Sequence, residues 1–246
     1  MTDLEAVSGR RRSSRPPSPG PSPRRPSSGP SRTEVECWFD YSSPFAYLGT
    51  TQIERIAREC GGRVVFRPFV LGALFKEIGT PLVPLETFSP AKRRHAQLDL
   101  ERWADHWGVP FRFASRFPLR TVDALRVTLL APEANRALLV HAIMRATWVD
   151  DRDPADPDVL RACVTAAGLD AGLLERAGEA KQALFDATAD AVRAGVPGAP
   201  TFVVGEQLFW GQDRLEFVAK ALCGWRVDVV GPRITGPSAE GETDQT

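Results

Sequence analysis

The pattern between Val35 and Phe69 constrains the fold more than any other part of the chain. An apolar stretch to about Tyr41 reads as a strand, and Pro44 to Glu59 reads as a helix, with Ile53, Ile56 and Ala57 at helical spacing. Gly61-Gly62 stops that helix, and Arg63-Val64-Val65-Phe66-Arg67-Pro68-Phe69 follows as a second strand. So short a strand–helix–strand run calls for a right-handed crossover onto a parallel pair. At the joint stands Ser43-Pro44. Proline suits the first turn of a helix, where its missing N–H would have had no partner. Ser43 then falls at the N-cap, beside free backbone N–H groups and the positive end of the helix dipole. Such a position holds an anion well, and a thiolate is one such anion. The plain alternative is a serine that only caps its helix.

After the second strand the signals turn helical, at about Pro90–Trp107, Thr121–Leu130, Pro132–Trp148, Pro157–Ala167 and Ala171–Ala194. Leu98, Leu100, Trp103 and Trp107 are read as one apolar stripe facing the core. Strand signals return at Pro200-Thr201-Phe202-Val203-Val204, with Gly205-Glu206 as a turn and Gln207-Leu208-Phe209-Trp210 completing a hairpin. A last helix is expected from about Asp213 to Leu222. The order is therefore βαβ, a helical tract, then ββα.

The chain has 246 residues, enough for one large domain or a domain with a sizeable insertion. Its formal net charge is +0, which argues against general polyanion binding and so against nucleic acid as a partner. Residues 1–33 are rich in Ser, Pro and Arg and have little to bury, so disorder is expected there, and a flexible tail over 226–246. Cys37, Cys60, Cys163 and Cys223 are scattered without a Cys-x-x-Cys pair, which is neither a disulfide framework nor a metal site and points to a reducing, cytoplasmic setting. No apolar run is long enough to cross a bilayer, and the Arg-rich start lacks the apolar segment of a secretory signal.

Five segments in order carry a resemblance: Trp38-Phe39-Asp40-Tyr41-Ser42-Ser43-Pro44, Arg67-Pro68-Phe69-Val70-Leu71-Gly72, Asp99-Leu100-Glu101-Arg102-Trp103-Ala104, Gly195-Val196-Pro197-Gly198-Ala199-Pro200-Thr201 and Phe209-Trp210-Gly211-Gln212-Asp213-Arg214. Over residues 35–225 the sequence resembles the 2-hydroxychromene-2-carboxylate isomerases and kappa-class glutathione transferases. That resemblance implies an α/β fold, a thioredoxin-like domain of βαβ and ββα halves (34–75 and 195–225) with an all-helical insertion (76–194) between them. It implies glutathione as cofactor, with Ser43 as the catalytic serine at its sulfur. It also implies that Pro200 is a cis-proline that turns the Ala199 backbone toward the cysteinyl part of the ligand, and that Gln212 and Asp213 bind the γ-glutamyl end. Lys92 matches the lysine that meets the glycyl carboxylate. Thr80, in Gly79-Thr80-Pro81-Leu82-Val83-Pro84, replaces a family asparagine, with a shorter side chain. A homodimer and a small aromatic or electrophilic substrate are implied as well.

The chemistry implied is cis–trans isomerisation in aromatic-compound degradation. Thiolate adds reversibly to an activated alkene, the carbon–carbon bond rotates, and the sulfur leaves. A hydrogen bond to a charged acceptor contributes about 1.5–3 kcal/mol and a helix N-terminus about 0.3–2, enough to lower a thiol pKa by about one to three units. A kappa-type transferase would use the same thiolate and release the conjugate, and a non-catalytic thioredoxin-like binding protein would only hold the thiol. Disulfide exchange at this turn is disfavoured, because Ser42-Ser43-Pro44 occupies the redox-cysteine region. Elsewhere, His95, His106 and His141 share no ligand spacing and read as surface or packing residues. Cys37, Cys163 and Cys223 read as packed, and Trp210 and Phe75 as core more readily than as pocket walls. Arg120, beside Thr121 at a helix start, is read as a solvated charge, with contact to a substrate carboxylate as the sharper alternative.

Overall fold

The computed structural model describes residues 33–227. The expectations for the two tails fall outside the described residues, apart from the few at their inner ends. Strand β1 (Glu34–Phe39) leads through a turn into α1 (Pro44–Glu59), which crosses back to β2 (Arg63–Pro68). Seven helices follow: α2 (Leu71–Glu77), α3 (Pro84–Thr87), α4 (Pro90–Trp107), α5 (Val122–Leu130), α6 (Glu133–Trp148), α7 (Pro157–Ala166) and α8 (Lys181–Arg193). The chain then returns through β3 (Thr201–Val204) and β4 (Gln207–Trp210) to α9 (Leu215–Leu222).

The four strands form one mixed sheet in the order β2-β1-β3-β4. β1 runs parallel to β2, with Cys37 opposite Phe66, and antiparallel to β3, with Cys37 opposite Phe202. β4 closes the sheet antiparallel to β3. This is the thioredoxin-like arrangement, with α2–α8 inserted between its halves. Val35, Cys37, Trp38 and Phe39 of β1 are buried, and Phe39 meets Tyr41 and Phe66 edge-on at 5.3 and 5.8 Å between ring centroids. Burying a side chain of this size contributes about 1.5–3 kcal/mol. α1 packs on the sheet and along α9 and α6, so the first helix joins the thioredoxin-like halves to the inserted helices.

Several expectations are corrected. Leu98 is exposed while Leu100 is buried. Positions two apart on a helix point about 200° apart and cannot share a stripe. Trp103 and Trp107 do lie together, 4.8 Å between centroids, and pack against the core. The helix expected over Ala171–Ala194 is broken into 3-10 turns at Ala171–Leu173 and Ala177–Ala180 before α8 begins at Lys181. Gly172 and Gly178 weaken that run, and the Asp170 carboxylate accepts from the Gly172 N–H at 2.7 Å, a local turn that competes with helix. The last helix likewise begins at Leu215, after a 3-10 turn at Gln212–Arg214. α2 and α3 were not foreseen, being short and lacking a sustained period. Cys37 and Cys163 are buried as expected, whereas Cys223 is exposed at the C-cap of α9. Trp210 is 57% exposed on the edge strand rather than in the core, while Phe75 is buried.

Candidate active site

Ser43 is the N-cap of α1 with extended backbone (φ −100°, ψ 115°), and Pro44 opens the helix. The Ser43 Oγ accepts from the Ala46 N–H at 3.1 Å and donates to the Ala199 carbonyl at 2.8 Å. The Tyr47 N–H goes to the Ser43 carbonyl at 3.1 Å. Pro44 has no N–H, which leaves the Phe45 N–H as the first-turn donor with no partner among the described residues. One buried hydroxyl thus joins the helix start to the bend that precedes β3, 156 residues further on.

Ala199–Pro200 is a cis peptide, as the resemblance implied; Phe117–Pro118 is also cis. The Pro200 carbonyl accepts from the Gly211 N–H at 3.0 Å, which carries the chain directly into the Gln212–Arg214 turn. Gly211 sits at φ 108°, and a Cβ there would lie 2.5 Å from the Asp213 Oδ1, so only glycine fits. The Gln212–Arg214 turn packs on α1. Gln212 is only 4% exposed, yet its amide makes no hydrogen bond among the described residues. Its amide atoms are not sealed from solvent, since Arg126 Nε alone is a fully buried side-chain polar atom without a partner among the described residues. Asp213 stays partly exposed and pairs with Arg214 at 2.9 Å.

The structure therefore brings Ser43, Ala199, Pro200, Gln212 and Asp213 into one neighbourhood. Thr80 and Lys92 stand apart from it: no hydrogen bond, ion pair or ring contact joins either to those five among the described residues. The Thr80 N–H goes to the Phe75 carbonyl at 2.8 Å, and the Lys92 ammonium lies over the Phe88 ring at 4.0 Å. Arg120 is exposed and has no ion pair among the described residues, and His141 pairs with Glu54 across α1 and α6.

The sequence reading missed what holds the turn. Asp40 is buried, and its carboxyl accepts from the Ser42 N–H at 3.0 Å, the Leu71 N–H at 2.8 Å and the Thr121 hydroxyl at 2.7 Å. Burial pushes its pKa above the usual carboxylate range, against the pull of those hydrogen bonds. One residue on, the Tyr41 hydroxyl bonds the Thr128 hydroxyl at 2.6 Å, and the Tyr41 carbonyl accepts from the Trp148 indole N–H at 2.9 Å. The turn that presents Ser43 is thus clamped by α2, α5 and α6. The usable sequence signal was a lone Asp within a Phe-Asp-Tyr-Ser stretch at a strand end, where Asp commonly bonds backbone two residues on. Trp210, read from the sequence as core more readily than as a pocket wall, instead lies with its indole so close to Gly198 that a Cβ there would meet the ring nitrogen at 2.8 Å. It therefore stands exposed beside Ala199.

Two hollows lie away from this cluster. One, of about 410 Å³, is edged by Glu36, Arg67, Arg136 and Asp190, and the other, of about 590 Å³, by Val70, Val122, Phe185 and Thr188. Neither is lined by Ser43 or Ala199.

The arrangement matches known proteins over nearly all described residues. A 2-hydroxychromene-2-carboxylate isomerase of Sphingobium xenophagum is 29% identical over 197 residues, covering 76% of this chain and 97% of its own. Glutathione S-transferase kappa 1 of Homo sapiens is 27% identical over 213 residues, covering 79% and 92%. A solved structure of a 2-hydroxychromene-2-carboxylate isomerase superposes with a TM-score of 0.70 at 25% identity, over 77% of this chain and 94% of that one. The DSBA-like thioredoxin domain family matches residues 34–223, and the chain belongs to that family.

Proposed function

We propose that the protein is a glutathione-dependent cis–trans isomerase of the 2-hydroxychromene-2-carboxylate type, in which Ser43 steadies a thiolate at the start of α1. The observation that carries this reading is the Ser43 hydroxyl itself, bridging the Ala46 N–H and the Ala199 carbonyl beside the cis-Pro200. The similarity to named isomerases and kappa transferases supports it.

The residues fit a thiol tripeptide at this end. Gln212 offers an amide that no other described group engages, Asp213 a carboxylate for an ammonium group, and Ala199 a carbonyl that can accept a backbone N–H as in strand addition. When bound, glutathione would supply a thiolate that adds to an activated alkene and is expelled once the bond has rotated. The Ser43 proton is committed to the Ala199 carbonyl. An arriving peptide N–H can take over that carbonyl, which frees the hydroxyl to turn and donate to sulfur. The Phe45 N–H and the helix dipole add a second source of stabilisation. Lys92 at the glycyl carboxylate and Thr80 in place of the family asparagine complete the proposed ligand set. Trp210 supplies an exposed aromatic wall for a planar substrate. Homodimerisation and a cytoplasmic setting are part of the same proposal.

The test is loss of 2-hydroxychromene-2-carboxylate absorbance with and without glutathione. Turnover that requires glutathione, with the thiol recovered unchanged, supports isomerisation. A lasting glutathione adduct, seen by mass spectrometry, identifies a kappa-type transferase. No turnover together with no glutathione binding by calorimetry leaves a thioredoxin-like binding protein.

A further inference from the structure

A second pair of sulfur groups lies at the opposite end of the helices that build the site. Cys60 caps the C-terminus of α1 and Cys223 caps the C-terminus of α9, 163 residues later. Their Sγ atoms are 3.3 Å apart. Cys223 is exposed and Cys60 partly so, and the Cys60 Sγ also faces the Ala219 carbonyl at 3.6 Å, which keeps it turned toward α9. Cys37 and Cys163 are buried elsewhere. A disulfide requires sulfurs about 2.05 Å apart, a closure of little more than an ångström, within reach of side-chain rotation at an exposed pair.

We propose that Cys60 and Cys223 form a reversible disulfide site whose reactant is a low-molecular-weight disulfide. Cys223, the more accessible thiol, attacks one sulfur of the small disulfide as its thiolate, and the other half leaves and takes up the proton. Cys60 then attacks the Cys223 sulfur of the mixed disulfide. The second small thiol departs with the Cys60 proton. Two cysteines are oxidised and one small disulfide is reduced to two thiols, so atoms and electrons balance. Excess reduced thiol reverses both steps. Burial and the neighbouring thiol push Cys60 up, consistent with its acting second.

The consequence is mechanical. The cross-link ties together the far ends of α1 and α9, whose near ends carry Ser43 and the Gln212–Arg214 turn. It leaves the site groups untouched while restraining the frame that spaces them. It also closes a long loop in the unfolded chain, so the oxidised form should melt at a higher temperature than the reduced one.

The experiment equilibrates the full chain in buffers of graded oxidised-to-reduced glutathione ratio, traps free thiols by alkylation and maps non-reduced peptides by mass spectrometry. The expected result is a Cys60–Cys223 linked peptide that rises with the oxidised share, vanishes when reduced thiol is restored, and accompanies the upward melting shift. Cys60→Ser and Cys223→Ser should each abolish both the linkage and the shift while melting like the reduced parent. Ser43→Ala should form the link as the parent does, which separates this site from the one proposed above. Four free thiols at the most oxidising ratio, a link to Cys37 or Cys163, or a mixed disulfide at Cys223 that never closes onto Cys60 would each overturn the proposal.

Discussion

At the scale of single residues, Asp40 and Gly211 matter because each has one shape-limited job next to Ser43. Asp40 takes two backbone N–H groups and the Thr121 hydroxyl, and no other acceptor among the described residues serves them. Asp40→Ala orphans one buried and two half-buried donors and should cost about 2–4 kcal/mol, read by denaturant unfolding, with Thr121→Ala costing about 1. Equal stability of the Asp40→Ala protein and its parent would remove this account of the turn. Gly211→Ala must place a Cβ against the Asp213 carboxylate at a positive φ, so a loss of about 1–3 kcal/mol and weaker glutathione binding are expected by calorimetry. Ser43 was legible as a helix cap before Pro44, whereas Pro200 and Gln212 were singled out only through the family resemblance, since neither an X-Pro step nor a glycine-led turn marks a site by itself. Asp40 was not, because its partner Thr121 lies 81 residues away and only tertiary structure brings them together.

Among elements, those with long regular patterns were readable and the short or interrupted ones were not. α4 has the bounds its Ser89–Pro90 start and Gly108 stop suggest, with Ser89 accepting from the Lys92 N–H at 3.3 Å and Gly108 left-handed at φ 62°. α2 hides behind Pro68 in only 7 residues, too few to establish a helical period. α1 also carries a pH-sensitive link to the inserted helices. Its hydrogen bond to His141 on α6, reinforced by that residue's charge, holds Glu54 below the ordinary carboxylate range. A lowered folded-state pKa contributes stability that is present above the unfolded value and is lost as pH falls through the folded one. Both side chains are more than a third exposed, so the contribution is under about 1 kcal/mol. Melting temperatures from pH 7 down to pH 3 should therefore fall slightly less steeply for Glu54→Gln than for the parent. Identical acid limbs would show that the pair does not couple α1 to α6.

For the whole molecule, the notable relation is between the inserted helices and the sheet. The resemblance made the insertion foreseeable, but its role was not: α2, α5 and α6 hold the Asp40–Ser43 turn from outside the thioredoxin-like halves. In this fold the first helix start is a natural place for redox chemistry, yet here serines occupy it and Cys37 is buried in β1, where desolvation pushes its pKa up. With the separate Cys60–Cys223 pair removed by Cys223→Ser, insulin reduction at the rate of the solvent background is therefore expected. A thioredoxin-like rate would contradict the reading of the turn as a binding device.

The most direct test is a pH titration of protein-bound glutathione by its thiolate absorbance, in the parent and in Ser43→Ala. If the Ser43 hydroxyl steadies sulfur at the start of α1, the parent should ionise the bound thiol about one to three pH units below its reference of about 8.5. The variant should fold, lose about 1 kcal/mol of cap stability, and return most of that shift. A bound thiol that ionises at the same pH in both proteins would contradict the account.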